Sequence, residues 1–293
     1  MRTNAILRLE KASKHYKGKA VLDDVSIALN RGETVAITGP NGSGKSTLLK
    51  LLAGLSALSS GTRELNGGGG GDRMVIGYAP DHLPKLKFTA REYLNHMAAI
   101  RGLDAATRLR RIEELLEQVN LRDRPGQQMR YFSKGMLQKV NLVQALLGEP
   151  ELLLLDEPIG GLDEEAQSVL GGMLRSLRLE GMAVVVAGHE HAILRQWADR
   201  IISISDGRIV AVEDSPLSVG EIYWRRIVCR WPAGRETEAA ALGRLSGMLQ
   251  YRLEDRTTAV YWADAERSDA LLRELLEAGA SVDSVAMGTG RMI

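Results

Sequence analysis

The run Gly39-Pro-Asn-Gly-Ser-Gly-Lys-Ser-Thr47 leaves the chain few ways to fold. It follows the apolar stretch Thr34–Thr38 and precedes Leu48-Leu-Lys-Leu-Leu52, so the pattern G-x-x-x-x-G-K-S sits between an expected strand and an expected helix. Glycines let the backbone curl until successive amides point at one spot, and the start of the helix adds partial positive charge there. Such a loop is built for phosphates. Gly39, Pro40, Asn41, Gly42, Ser43, Gly44 and Thr47 form the cradle, Lys45 reaches the β- and γ-phosphates, and the Ser46 hydroxyl is placed to hold Mg²⁺. A nucleoside triphosphate, ATP by expectation, is the ligand.

Composition narrows the remaining classes. With 44% apolar and 26% charged residues among 293, the chain is not of the disordered type. Thirty-eight Lys and Arg against 37 Asp and Glu give a formal net charge of +1, so no general field draws the chain to nucleic acid or an anionic bilayer. The single Cys229 excludes an intrachain disulfide, no Cys/His cluster has zinc spacing, and both fit a reducing compartment. Met1–Glu10 has no signal-peptide core and no run of about 18 apolar residues occurs, so a chain that does not enter the membrane by itself is expected.

Apolar runs at Ile6–Leu9, Val35–Thr38, Met74–Tyr78, Leu152–Leu155, Ala183–Ala187 and Ile201–Ile204 alternate with stretches of helical period. That alternation predicts an α/β fold with a largely parallel sheet. Thr89-Ala-Arg-Glu92 has capping-box form and predicts a helix over Ala90–Arg101; Ala105–Val119 predicts another, with Leu109, Ile112, Leu115, Leu116 and Val119 on one stripe. These belong to a helical insert at about 82–148. The glycines Gly67–Gly71 read as a flexible connection, since no apolar strand feeds them and no helix starts from them. After a boundary at 215–220, residues 221–293 read as strand Arg226–Trp231, helix Glu236–Gly247, strands Gln250–Glu254 and Ala259–Ala263, helix Ser268–Ala278 and strand Ser281–Ala286. This is βαββαβ, the ferredoxin-like order. Trp224, Trp231 and Trp262 fall in it and are expected to pack on its strands.

Two more segments carry chemistry. Leu152-Leu-Leu-Leu-Asp156-Glu157-Pro158 is a strand apolar on both faces that ends in two carboxylates. Alone, such a pair is usually a solvated loop; with a phosphate loop upstream, Asp156 is expected to support Mg²⁺ and Glu157 to accept a proton from attacking water. In Tyr131-Phe-Ser133-Lys-Gly135-Met136, Ser133 is expected to cap a helix through Leu137, Val140, Leu142, Val143 and Leu146.

Over about Ile6–Val212 the chain resembles the ATP-binding cassette (ABC) ATPases of the P-loop NTPase fold. Gly39–Thr47 matches Walker A, Phe132–Met136 the signature, Leu152–Glu157 Walker B, Gly161-Leu-Asp163 the D-loop, and His189 the switch histidine. Tyr16 resembles the aromatic residue that stacks on adenine. The resemblance implies that Glu157, His189 and Lys45 act in ATP hydrolysis, and that Ser133 and Gly135 contact the γ-phosphate across a dimer of cassettes. Phe-Ser-Lys-Gly-Met replaces the usual Leu-Ser-Gly-Gly-Gln. At the Q-loop, Gly77-Tyr-Ala-Pro-Asp81 puts Asp81 where Gln or Glu is usual, one methylene shorter, which points to contact with Mg²⁺ through water.

Chromosome-maintenance relatives insert a long coiled coil before the signature, and translation-associated ones carry two cassettes; neither feature is present. What the resemblance implies instead is the ATPase subunit of an ABC transporter, of exporter type for drugs, antibiotic peptides, lipids or ions. The C-terminal extension and the Ser-Lys-Gly-Met signature point that way. Expected partners are a second ABC ATPase subunit, identical or not, and a separate transmembrane permease, with no nucleic acid. The expected location is cytoplasmic, peripheral at the inner face of the cell membrane. The alternative is a regulatory or mechanical ABC ATPase acting on a membrane or cytosolic partner. In the family, the region matching His82–Met97 meets the coupling helices of the permease.

Overall fold

A computed structural model describes residues 5–66, 74–121, 126–214, 224–235, 239–240, 242, 248–255, 257–264 and 268–288. The chain separates into two compact units, Met1–Ser218 and Val219–Ile293.

The first unit is built on a six-stranded sheet in the order β5-β6-β7-β3-β8-β9. Its strands are β3 (Thr34–Thr38), β5 (Ile76–Ala79), β6 (Leu152–Asp156), β7 (Ala183–Gly188), β8 (Arg200–Ser205) and β9 (Arg208–Asp214), all parallel to their neighbours except β9. Continuous apolar runs suit central strands because both faces are covered. Along β6, Leu153 and Leu155 enter one core while Leu152 and Leu154 enter the other; on β7, Val184 and Val186 are separated in the same way from Ala183, Val185 and Ala187. Each fully buried leucine contributes about 2 kcal/mol by removal from water. These strands therefore hold their C-terminal ends in fixed register.

One core is closed by α1 (Lys45–Leu52) and by a three-stranded antiparallel sheet, β2-β1-β4, made of β1 (Ala5–Tyr16), β2 (Lys19–Asn30) and β4 (Ser60–Leu65). The run Ile6–Leu9, expected in the parallel sheet, belongs here instead. Lys17 and Gly18, both at positive φ, turn β1 back on β2, and a tight turn of this kind joins antiparallel strands. The strand expected at Met74–Tyr78 begins at Ile76 and runs to Ala79.

The other core lies under α2 (Ala90–Ile100), α3 (Ala105–Gln118), α4 (Lys134–Leu146) and α5 (Glu164–Leu179). The short α6 (His191–Trp197) contributes Leu194 to it. Thr89 and Glu92 form the expected capping box on α2. On α3, Ile112, Leu115 and Leu116 are buried and Val119 follows them, but Leu109 is 67% exposed. It lies in the first turns of the helix, beyond the part that packs, so the stripe is shorter than its periodicity suggests. The Gly67–Gly71 connection lies outside the described residues.

In the second unit, β10 (Trp224–Arg230), β11 (Met248–Leu253), β12 (Thr258–Asp264) and β13 (Ser281–Gly288) pair antiparallel in the order β11-β12-β10-β13, with α7 (Ser268–Glu277) between β12 and β13. That strand order is the ferredoxin-like one. The linker at 215–220 and most of the expected helix Glu236–Gly247 lie outside the described residues; Ala239, Ala240 and Leu242 are helical. Trp231 is buried and donates its indole N–H to the Tyr261 hydroxyl at 3.1 Å, so it packs as expected.

Candidate functional site

The C-terminal ends of β3, β6 and β7 meet at one edge of the parallel sheet, where doubly wound folds bind ligands. The loop leaving β3 enters α1 through Gly44, whose φ of 108° is open to glycine; a Cβ there would stand 2.7 Å from Leu22 Cδ2 and 2.8 Å from the Val21 carbonyl. No other residue fits at that position without moving β2. Asn41 and Gly42 face outward, while Ser43 and Lys45 are buried.

Lys45 is 6% exposed. Its ammonium donates to the carbonyls of Gly39 at 2.8 Å and Pro40 at 3.2 Å, and stands 3.7 Å from Glu157 Oε1. The Ser43 hydroxyl is buried with no hydrogen-bond partner. A cation folded back on its own loop and an orphaned hydroxyl are what a phosphate group would satisfy. The residues present therefore fit the triphosphate.

Ser46 Oγ donates to Asp156 Oδ1 at 3.1 Å, bringing the first turn of α1 against the end of β6. Burial pushes the Asp156 carboxyl up, the Ser46 hydrogen bond opposes this, and the negative charges of Asp81 and Glu157 push it further up. A divalent cation beside Ser46 and Asp156 would reverse that balance, so this pair fits Mg²⁺. Burial, and then the same Asp156 carboxylate, pushes the Tyr78 phenol up to about 12.

Glu157 follows Asp156 with φ of 51°, a left-handed conformation uncommon for a non-glycine residue. Its N–H donates to the Ala187 carbonyl of β7 at 2.9 Å, which holds the turn. Glu157 Oε2 lies 2.9 Å from His189 Nδ1, and His189 Nε2 lies 3.3 Å from Glu190 Oε1. The structure thus gathers Lys45, Ser46, Asp156, Glu157 and His189 in one place. Asp81 joins the same field from the end of β5, its carboxylate 3.0 Å from His82 Nδ1.

A second group lies on the signature and the D-loop. Ser133 caps α4 by accepting from the Met136 N–H at 3.2 Å, and Asp163 caps α5 by accepting from the Ala166 N–H at 2.8 Å. Gly135 backs onto the Gly161 carbonyl, and the Lys134 side chain lies across Gly160 and Gly161, so signature and D-loop pack together. Tyr16 stands elsewhere, half exposed at the end of β1; its hydroxyl is 3.4 Å from Ser56 Oγ and the Lys14 ammonium is 4.9 Å from its ring centre.

Sequence reasoning missed two contributors. Glu190 carries no motif of its own beside the more conspicuous His189. Gln138 donates from Nε2 to the carbonyls of both Asp81 and Glu157, each at 3.2 Å. The signal available for it is a row of amides, Gln138, Asn141 and Gln144, spaced by three in a largely apolar helix.

A family profile described as ABC transporter matches residues 22–160. Across three uncharacterised bacterial ABC transporter ATP-binding proteins, at 36% to 37% identity, the match spans 55% to 69% of their length. One of them, YxlF of Bacillus subtilis, is 36% identical over 70% of this chain and 69% of its own. The Nod factor export ATP-binding protein I of Ralstonia nicotianae is 31% identical over 94% of this chain and 87% of its own. The Fe(3+) ions import ATP-binding protein FbpC of Streptomyces coelicolor is 37% identical over 76% of this chain and 64% of its own. Among solved structures, the dimeric post-hydrolysis state of the cassette MJ0796 bound to ADP and Pi superposes with a TM-score of 0.64 and 27% identity, covering 71% of this chain and 98% of that one.

Proposed function

This chain belongs to the ABC transporter ATP-binding family, and on that premise we propose that it is the ATPase motor subunit of an exporter. It is an ABC-type ATPase with the P-loop NTPase fold. In this reading residues 1–214 are the motor and 221–293 an accessory domain. Two such subunits sandwich two ATP and drive a separate membrane permease, from a position at the inner face of the membrane. Among the described residues no helix is long and apolar enough to cross a membrane.

The observation that carries the ATPase chemistry is the Glu157 carboxylate, one oxygen 3.7 Å from Lys45 Nζ and the other 2.9 Å from His189 Nδ1. Lys45 exchanges its loop carbonyls for the β- and γ-phosphate oxygens, and the backbone of Gly39–Thr47 cradles them. Ser46 and Asp156 would hold Mg²⁺, with Asp81 reaching it through water. The ion supplies charge neutralisation at the phosphates. Glu157 takes the proton of the attacking water, and His189 keeps the carboxylate turned toward it. Tyr16 stacks on the adenine. Ser133 and Gly135, with Asp163 beside them, face the nucleotide held by the other subunit; the dimeric state of the MJ0796 cassette supports the pairing of two subunits.

Export rather than import is favoured by the similarity to the Nod factor export protein. That match covers 94% of this chain and so runs through most of the C-terminal unit, whereas the match to the iron import protein covers 76%.

The test is Mg²⁺-dependent ATP turnover by the purified chain beside Lys45→Ala, followed by co-purification with the permease encoded next to it. Equal turnover in the two proteins would remove the ATPase assignment. A soluble or single-span partner in place of a multi-span permease would remove the transporter, and uptake that needs an external binding protein would reverse its direction.

A further inference from the structure

The helix that starts at Ser133 crosses the sheet edge formed by β5, and an edge strand presents backbone groups with no partner strand. Here the row Gln138, Asn141 and Gln144 supplies the partners. All three side chains are buried, at 8%, 1% and 5% exposure. Gln144 Nε2 donates to the Tyr78 carbonyl at 2.7 Å and lies 3.4 Å from Asn141 Oδ1. Asn141 Nδ2 donates to the Pro80 carbonyl and lies 3.5 Å from Gln138 Oε1. Gln138 Nε2 closes the row on the carbonyls of Asp81 and Glu157, each at 3.2 Å. Every amide thus has an acceptor for each of its two protons, and the neighbouring carbonyls dictate which way each amide faces.

Gln138 differs from the other two. Gln144 ties α4 to β5 itself and Asn141 ties it to the segment just after, whereas Gln138 joins that segment to the turn carrying Glu157, two chain regions that no strand pairing connects beyond Ala79 and Leu155. Glu157 is held at positive φ, a conformation that its surroundings must maintain.

Resting on the ATPase reading above, we propose that Gln138 is a positioning residue for hydrolysis. Through one buried amide it sets the backbone of the Glu157 turn and of Asp81 against the helix that begins with the signature. A shift of α4 is thereby delivered to the Glu157 carboxylate. Gln144, with the same burial and the same amide but no bond to Glu157, supports the fold without setting the carboxylate.

The full-length chain distinguishes the two. Gln138→Met and Gln144→Met each keep side-chain length and remove the donors. Steady-state ATP turnover, the KM for ATP and thermal midpoints are measured for both beside the wild type. The expected result is a kcat lowered tenfold or more in Gln138→Met with KM within twofold of wild type, and a kcat within twofold in Gln144→Met despite a comparable loss of midpoint. Should Gln138→Met be insoluble, Gln138→Asn, one methylene shorter, is expected to give the same split. Wild-type kcat in the Gln138 variant, or equal kcat losses in both that follow their midpoints, would overturn the positioning role and leave the ATPase reading intact. Wild-type turnover that does not depend on Lys45 would remove that reading and this inference with it.

Discussion

His189 Nδ1 lies 2.9 Å from Glu157 Oε2, so the carboxylate that faces Lys45 with one oxygen is fixed by a histidine on the other. Glu157→Gln preserves size and the backbone turn while removing basicity. Turnover is expected to fall on the order of 100-fold while ATP binding persists. Gel filtration with ATP and Mg²⁺ should then reveal a stable dimer, because in the proposed cycle ATP closes the dimer and hydrolysis reopens it. A variant that stays monomeric with ATP bound would argue against the sandwich.

Ser133 caps α4 and, in the proposed dimer, faces the other subunit. The residue is exposed at the tip of the signature. Ser133→Arg removes the cap, which should lower stability by about 1 kcal/mol, and adds bulk where the proposed dimer would close. Nucleotide affinity of the monomer, read by isothermal titration, should remain within severalfold of wild type while ATP-induced dimerisation is lost. Loss of affinity in the monomer would place Ser133 in its own subunit's phosphate site instead.

Much of this architecture was legible because some residues act locally. Thr89 and Glu92 announce the start of α2 by their spacing, and the four leucines of β6 announce a strand covered on both faces. The phosphate loop carried its own context in the strand before it and the helix after it. The β1–β2 hairpin was less visible, since Lys17-Gly18 is an unusual turn pair and β2 mixes buried and exposed positions. Leu109 is exposed against expectation because periodicity assigns a face but not how far along the helix its neighbour extends. Gln138 was missed for a related reason: spacing put it on a stripe, and only the fold reveals that carbonyls of two separate segments converge there.

The close approach of α4 to β5 has a cost that can be measured. A Cβ at Gly77 would collide with the Ala145 carbonyl, which is helix backbone and cannot swing aside. Gly77→Ala should therefore destabilise the first unit by about 1–3 kcal/mol, the range for overpacking, seen as a lower urea midpoint at unchanged slope. Because Gln138 on the same helix reaches the Glu157 carbonyl, a displaced α4 should lower turnover as well. An unchanged midpoint would mean that α4 sits loosely on the edge strand.

Phe88 is 45% exposed at the start of the helical insert, its ring edge-on to His96 with centroids 5.5 Å apart. Its carbonyl accepts from the Met129 N–H at 2.8 Å, so the backbone around it is held while the ring faces out. Half-buried Leu83, Leu86 and Tyr93 lie nearby in sequence, with exposed Lys85 and Lys87 and half-buried Arg91 among them, a mixture of apolar centre and polar rim suited to a protein partner. If the permease docks here, Phe88→Asp would bury an unpaired charge on docking and weaken the complex by several kcal/mol. The free subunit should be little affected, because the ring already meets water and the phosphate loop is untouched. ATP affinity is thus expected to stay at the wild-type value while the permease no longer co-purifies. Full retention of permease binding and ATP-dependent transport would show that coupling runs through another surface.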